Sequence, residues 1–279
     1  MVSLPQFSGT VELRPTFAPR PDISHVVFDF DGTLSWLRHG WPEIMFRVFR
    51  ERFAARPGES EGAIHDLLLD LIVSLNGRPT IFQMIRFTEL VRERGGPVLD
   101  PESLRQEYQH RLDEAIAGRS AQIREGRATA DDYVVHGARL LLEKLRRERL
   151  TPAILSSTIE ERVREETALL ELAPYFGVHI YGGVGDPANF SKMAVFRRLM
   201  QAEGIRGHQL LSFGDGPVEI ANTKELGGVA IAVCSDEHHN GSGLMDPFKH
   251  RQLLGAGADA AIPDYRDACA LMDVVLGKG

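Results

Sequence analysis

The sequence predicts an α/β protein, a doubly wound parallel sheet core with an all-helical domain inserted after the first strand. Three observations carry this. The run "HVVF" (25–28) is apolar and β-branched, as suits a strand buried on both faces. From residue 131 onward, short apolar runs alternate with helical stretches, the pattern of βαβ units. Between 41 and 130 the spacing is helical and no convincing strand intervenes.

Taken in order, residues 1–22 carry four prolines and little periodicity, and read as an N-terminal arm. The first strand covers about 25–30. In the helical block, Ile64, Leu67, Leu68, Leu71, Ile72 and Leu75 recur at helical spacing. The "NGRP" of 76–79 punctuates that run, and a second helix starts at Ile81. Asp100 then caps a helix with Pro101 at its first position. Beyond the block come a helix at 131–149, the strand "PAIL", a helix at 159–171 and the strand "VHIY". A helix at 191–203, the strands "QLLSF", "GGVAIAV" and "DAAI", and a C-terminal helix complete the chain. The expected division is therefore an arm (1–22), an α/β core (23–40 and 131–279) and a helical domain (41–130).

Composition narrows the function. The 279 residues suffice for a sizeable core, and 43% hydrophobic with 25% charged residues is ordinary for a globular protein. A net charge of −7 argues against a general nucleic-acid or anionic-membrane binder. No apolar run reaches the ~20 residues of a membrane span, and the N-terminus lacks a signal-peptide core. Cys234 and Cys269 are far apart and lack metal spacing, which fits a reduced, cytoplasmic protein.

Ligands of open α/β sheets bind at the carboxyl ends of the strands. The first strand ends in Asp29-Phe30-Asp31-Gly32-Thr33, and "PAIL" ends in Ser156-Ser157-Thr158. Lys192 stands at a helix start after a Gly-rich loop, and "LLSF" ends in Gly214-Asp215-Gly216-Pro217, with Glu219 following. A single aspartate in such a place is usually a cap or turn residue. Carboxylates, a hydroxyl and an ammonium at successive strand ends instead suit magnesium-assisted phosphoryl transfer. Asp29, Asp31 and Asp215 offer hard oxygen ligands. Once the charge is compensated, one carboxylate can attack phosphorus. Ser156 and Lys192 can hold the phosphoryl oxygens.

"DFDGTLS" resembles the first motif of the haloacid dehalogenase-like hydrolases, a superfamily with a Rossmann-like core. Ser156, Lys192 and "GDGPVEIANTKELG" follow as its second, third and fourth motifs, the last with Gly227 in its place. The resemblance implies that Asp29 is the nucleophile and Asp31 the general acid/base, with Asp31 binding magnesium through its backbone carbonyl. It implies Asp215 as a metal ligand, Glu219 assisting directly or through water, and Gly32, Thr33 and Ser157 lining the phosphate site. The insertion implies a helical cap closing over small substrates. Met193 stands where proline often follows the lysine, and Glu219 where aspartate is common.

Within the superfamily, the dehalogenases lack the second aspartate, so Asp31 disfavours carbon–halogen cleavage. Phosphonate cleavage through a Schiff base needs a cap lysine. Only five of the 32 basic residues are lysines, and residues 36–130 contain none; arginine cannot supply that amine chemistry. Phosphatase and phosphomutase share the remaining residues, with phosphatase favoured. A catalytically silent binding protein is a third reading, opposed by the full motif set. The expected substrate is a small phosphorylated metabolite, with no nucleic-acid or membrane partner.

Weaker signals flank these. In "SWLRHGW" (35–41), Trp36 could wall a pocket and Arg38 meet a substrate anion, or both could pack core against cap. Arg78 could select substrate from a cap loop, though an exposed turn is the plainer account. "GVGDPA" (183–188) fits a dinucleotide fingerprint, but its proline and mid-chain position oppose that. "CSDEHHNG" (234–241) offers Asp236, His238 and His239 to a metal, against the plainer reading of a solvated loop.

Overall fold

The computed structural model describes residues 7–75, 79–183 and 191–278. The chain divides into two compact units, residues 1–37 with 122–279, and residues 38–121.

The second unit is helical. It comprises α1 (Trp41–Arg50), α2 (Glu61–Ser74), α3 (Ile81–Glu93) and most of α4 (Pro101–Arg124). Ser60 caps α2 by accepting from Ala63 N at 3.2 Å, and Asp100 caps α4 by accepting from Ser103 N at 3.0 Å. The apolar stripes close on a core of their own. Phe49 stacks on Phe87 at 4.0 Å, among Met45, Ile64, Leu68, Met84 and Leu112.

The first unit holds a seven-stranded sheet of β1 (Glu12–Leu13), β2 (His25–Phe28), β3 (Thr151–Ile159), β4 (Ile180–Gly183), β5 (Leu210–Gly214), β6 (Val229–Val233) and β7 (Ala260–Ile262). Their order is β1-β7-β6-β5-β2-β3-β4, parallel except for β1. The helices are α5 (Ala138–Arg147), α6 (Glu160–Leu169), α7 (Ala173–Phe176), α8 (Lys192–Glu203), α9 (Pro217–Glu225), α10 (Pro247–Gly255) and α11 (Ala268–Val275). Successive strand side chains point to opposite faces. Val26 and Phe28 accordingly join one core with Leu141, Leu145, Leu271 and Met272 from α5 and α11. Val27 joins another, with Phe196 and Leu199 of α8. The sheet is thus doubly wound, as the alternation predicts.

Three details depart from the sequence reading. The arm is not featureless: β1 adds an antiparallel edge strand, and Asp267 fastens it by accepting from Ser8 N at 2.8 Å and Gly9 N at 2.6 Å. β3 runs on to Ile159 through a register irregularity after Leu155, so Ser156 and Ser157 lie within a strand rather than beyond it. The units divide at 37/38 and 121/122, where the sequence suggested 40/41 and 130/131. Residues 122–130 belong to the α/β unit because Gln122 is tied there. Its side chain accepts from Tyr133 Oη at 2.9 Å, and its carbonyl accepts from Arg127 N and Ala128 N.

Candidate active site

The register of three strands builds the site. Phe28 of β2 pairs with Ile154 of β3 on one side and Phe213 of β5 on the other. The residues that follow each strand therefore share one rim. Asp29 N still donates to Phe213 O at 2.9 Å, which anchors the first carboxylate to β5. The chain then turns tightly, with Phe30 O accepting from Leu34 N at 2.9 Å and Ser35 N at 2.8 Å. Gly32 makes this turn possible with φ +72°, in the region that disfavours side chains. A Cβ on Gly32 would also collide with Asp215 Oδ2.

On this rim, Lys192 at the start of α8 bridges two carboxylates. Its Nζ lies 2.9 Å from Asp29 Oδ1 and 3.0 Å from Glu219 Oε2. Glu219, at the third position of α9, also accepts from Gly216 N at 2.6 Å, so it caps the helix while holding the lysine. One oxygen from each of Asp29, Asp215 and Glu219 lies within 4.8 Å of the others. Two carboxylates at that separation repel by roughly 3–4 kcal/mol at an effective dielectric of ~20.

Burial pushes Asp29 well above the usual carboxylate range, against the pull of Lys192. Burial likewise pushes Asp215 up to about 6, opposed by Lys249. Burial would raise Glu219 too, but the Lys192 ammonium holds it below its ordinary value. Burial works against the charge of Lys192, yet Asp29 and Glu219 keep it charged far above neutral pH.

Asp31 faces β3, where its Oδ2 accepts from Thr158 Oγ1 at 3.0 Å. Ser156 is buried, and its Oγ accepts from Thr158 N at 3.1 Å. Ser157 is exposed. Thr33 is fully buried, and its hydroxyl has no partner among the described residues. The indole N–H of Trp36 donates to Asp236 O at 3.1 Å, and its ring packs on the main core. Arg38 belongs to the helical unit. Arg78 lies outside the described residues, as does most of "GVGDPA". Asp236 uses Oδ1 on the amides of His238 (2.8 Å) and His239 (3.2 Å), in a turn.

The sequence reading missed Thr158 and, more consequentially, Lys249. Like Lys192, Lys249 stands at a loop-to-helix start. It is buried at the third position of α10, where Asp246 caps the helix by accepting from Phe248 N and Lys249 N. Its Nζ lies 2.6 Å from Glu237 Oε1 and 3.2 Å from Asp215 Oδ2. The Asp-Pro signal seen at 100–101 recurs at 246–247 and could have revealed it.

The donor set suits a hard divalent cation. It consists of carboxylate oxygens, and oxygens bound to one Mg²⁺ at ~2.1 Å stand at most ~4.2 Å apart, close to the observed spread. Among the described residues this is the only His, Cys, Asp and Glu group so placed.

No curated protein sequence matches the chain. Among solved structures, a conserved haloacid dehalogenase-like protein of unknown function from Agrobacterium tumefaciens superposes with TM-score 0.65 at 18% identity, covering 90% of this chain and 97% of its own. A haloacid dehalogenase family hydrolase from Deinococcus radiodurans, with bound phosphate and sodium, gives 0.60 at 17%, covering 92% and 98%. A candidate beta-phosphoglucomutase from Bacteroides vulgatus gives 0.58 at 17%, covering 92% and 90%. At such identities the likeness shows the fold. The family model for haloacid dehalogenase-like hydrolases matches residues 23–227, which span every motif on the rim, and the chain belongs to that family.

Proposed function

We propose that the protein is a magnesium-dependent phosphatase acting on a small phosphomonoester through an aspartyl-phosphate. The observation that carries this is the convergence of Asp29, Asp215 and Glu219 at the carboxyl end of β2 and β5, with the Lys192 ammonium paired to Asp29 and Glu219. Asp29, Asp215 and the Asp31 carbonyl, with Glu219 assisting, would hold Mg²⁺, which would supply positive charge to offset the carboxylates and the phosphoryl oxygens. Asp29 attacks phosphorus while the Asp31 carboxyl, oriented by Thr158, protonates the leaving oxygen. Asp31 then takes a proton from the water that hydrolyses the acyl phosphate. Lys192 and Ser156 hold the phosphoryl oxygens, with Gly32 and Thr33 contributing from the loop after β2 and Ser157 from β3. Arg38, Arg78 and Trp36 are the residues we read as candidates for selecting the substrate. The Deinococcus relative, which holds phosphate, supports a phosphorylated ligand.

The alternative, a phosphomutase, uses the same residues and finds support in the beta-phosphoglucomutase-like relative. It would convert one isomer to another without net phosphate release. We read the enzyme as cytoplasmic, since both cysteines are free thiols. Among the described residues no helix is long and apolar enough to cross a membrane.

Release of phosphate from a generic aryl phosphate tests the reading. The wild type should turn over with Mg²⁺ and stop in EDTA, and Asp29→Asn should lose at least ~10³-fold. Undiminished turnover by the variant would overturn the assignment.

A further inference from the structure

The second buried lysine has no role in the chemistry above. Lys249 is only 3% exposed, and its ammonium is shared by Glu237 (2.6 Å), Ser235 Oγ (3.1 Å) and Asp215 (3.2 Å). Ser235 Oγ in turn donates to Gly32 O at 2.8 Å, and Gly32 is the residue whose lack of a Cβ admits Asp215 Oδ2. A closed ring of contacts thus joins the loops after β2, β5 and β6 to the start of α10. Burying an ammonium is costly unless it is paired, and this one is paired twice.

The ring has a directional consequence. Lys249 takes Oδ2 of Asp215, and Oδ1 carries no hydrogen bond among the described residues. Lys192 treats Asp29 alike, taking Oδ1. Each cluster aspartate is therefore held by a lysine through one oxygen, with the other outside that ion pair. The closer partner of Lys249 is Glu237, so its charge is drawn away from Asp215. That leaves Asp215 oriented but not neutralised. Glu219, Asp29, Asp31, Asp215 and Glu237 against Lys192 and Lys249 leave a formal charge of −3, still attractive to a divalent cation.

We propose that Lys249 is a positioning residue for the cation site, holding Asp215 by one oxygen and itself held back by Glu237, so that both together set the affinity for the metal. The inference rests on the metal-dependent reading above. Residues that orient a metal ligand change affinity by roughly 10–100-fold when removed.

The test is calorimetric titration of Mn²⁺ alone, without substrate, into wild type, Lys249→Met, Glu237→Gln and the double variant, with circular dichroism to check folding. Lys249→Met should bind about tenfold or more weakly, because Asp215, no longer held and now repelled by Glu237, turns out of position, which outweighs the added negative charge. The double variant should recover part of that loss, which a merely structural role would not produce. Glu237→Gln alone should bind more weakly than wild type, because Lys249 is then no longer drawn away from Asp215 by the Glu237 carboxylate; this arm decides if Lys249→Met does not fold. A smaller loss in a folded Lys249→Met, no recovery in the double variant, or wild-type affinity in Glu237→Gln overturns the proposal and leaves the phosphatase reading standing. No Mn²⁺ binding by the wild type overturns both.

Discussion

Gly32 sits where backbone conformation and charge meet. It holds φ +72° beneath Asp215. Gly32→Ala adds a left-handed strain of about 1–2 kcal/mol and displaces the Asp215 carboxylate. The variant should melt at lower temperature and need more Mg²⁺ for half-maximal turnover, both read in one titration series. Unchanged magnesium dependence would show that Asp215 is not a ligand. At this scale the sequence is informative where motif residues are neighbours. Asp29, Asp31 and Gly32 are contiguous with a strand end, so their shared rim follows from topology alone. Lys249 was hidden because its meaning depends on Asp215 and Glu237, brought to it by the packing of α10 beside β6. Thr158 was hidden because β3 continues past the position where its apolar run stops.

Among the elements, β2 carries a titratable group at its amino end, remote in sequence from the site chemistry. His25 is buried, with Nδ1 2.9 Å from Ser24 Oγ and Nε2 3.7 Å from Glu203. Burial holds its imidazole below the ordinary 6.5, against the pull of Glu203 and with a lesser push from His179. The unfolded chain therefore takes up a proton more readily than the folded one. The stability that neutral His25 contributes is present above 6.5 and is lost as pH falls through the lowered value. The melting midpoint of wild type should fall more steeply as the pH drops below 6.5 than that of His25→Gln. Parallel slopes would remove His25 from the account. The strands and most core helices were legible because each is an apolar run or stripe of the right period. The edge strand β1 was not, since two residues carry no period and its pairing depends on Asp267 at the other end of the chain.

For the whole molecule, the two units have separate apolar cores. Thermal unfolding need not be a single transition. Magnesium should raise the transition of the α/β unit, because the folded site binds the ion and the unfolded chain does not. At a hundredfold excess over the dissociation constant the gain is about 2.7 kcal/mol. That corresponds to roughly 5–10 °C in a unit of this size, reversed by EDTA. A midpoint indifferent to Mg²⁺ would contradict the carboxylate cluster as a cation site. The fold class was legible from alternation of strand and helix. The borders between units were not, because side-chain contacts such as those of Gln122 fix them and leave no mark on periodicity.

The central claim is that phosphorus passes through Asp29. Acid-quenched turnover of an aryl phosphate with Mg²⁺, followed by peptide mass mapping, tests it directly, with Asp31→Asn used to accumulate the intermediate. A phosphoryl group on Asp29 is the expected result. Phosphate release with no phosphoryl group on the chain, or with the group on another residue, would contradict the account.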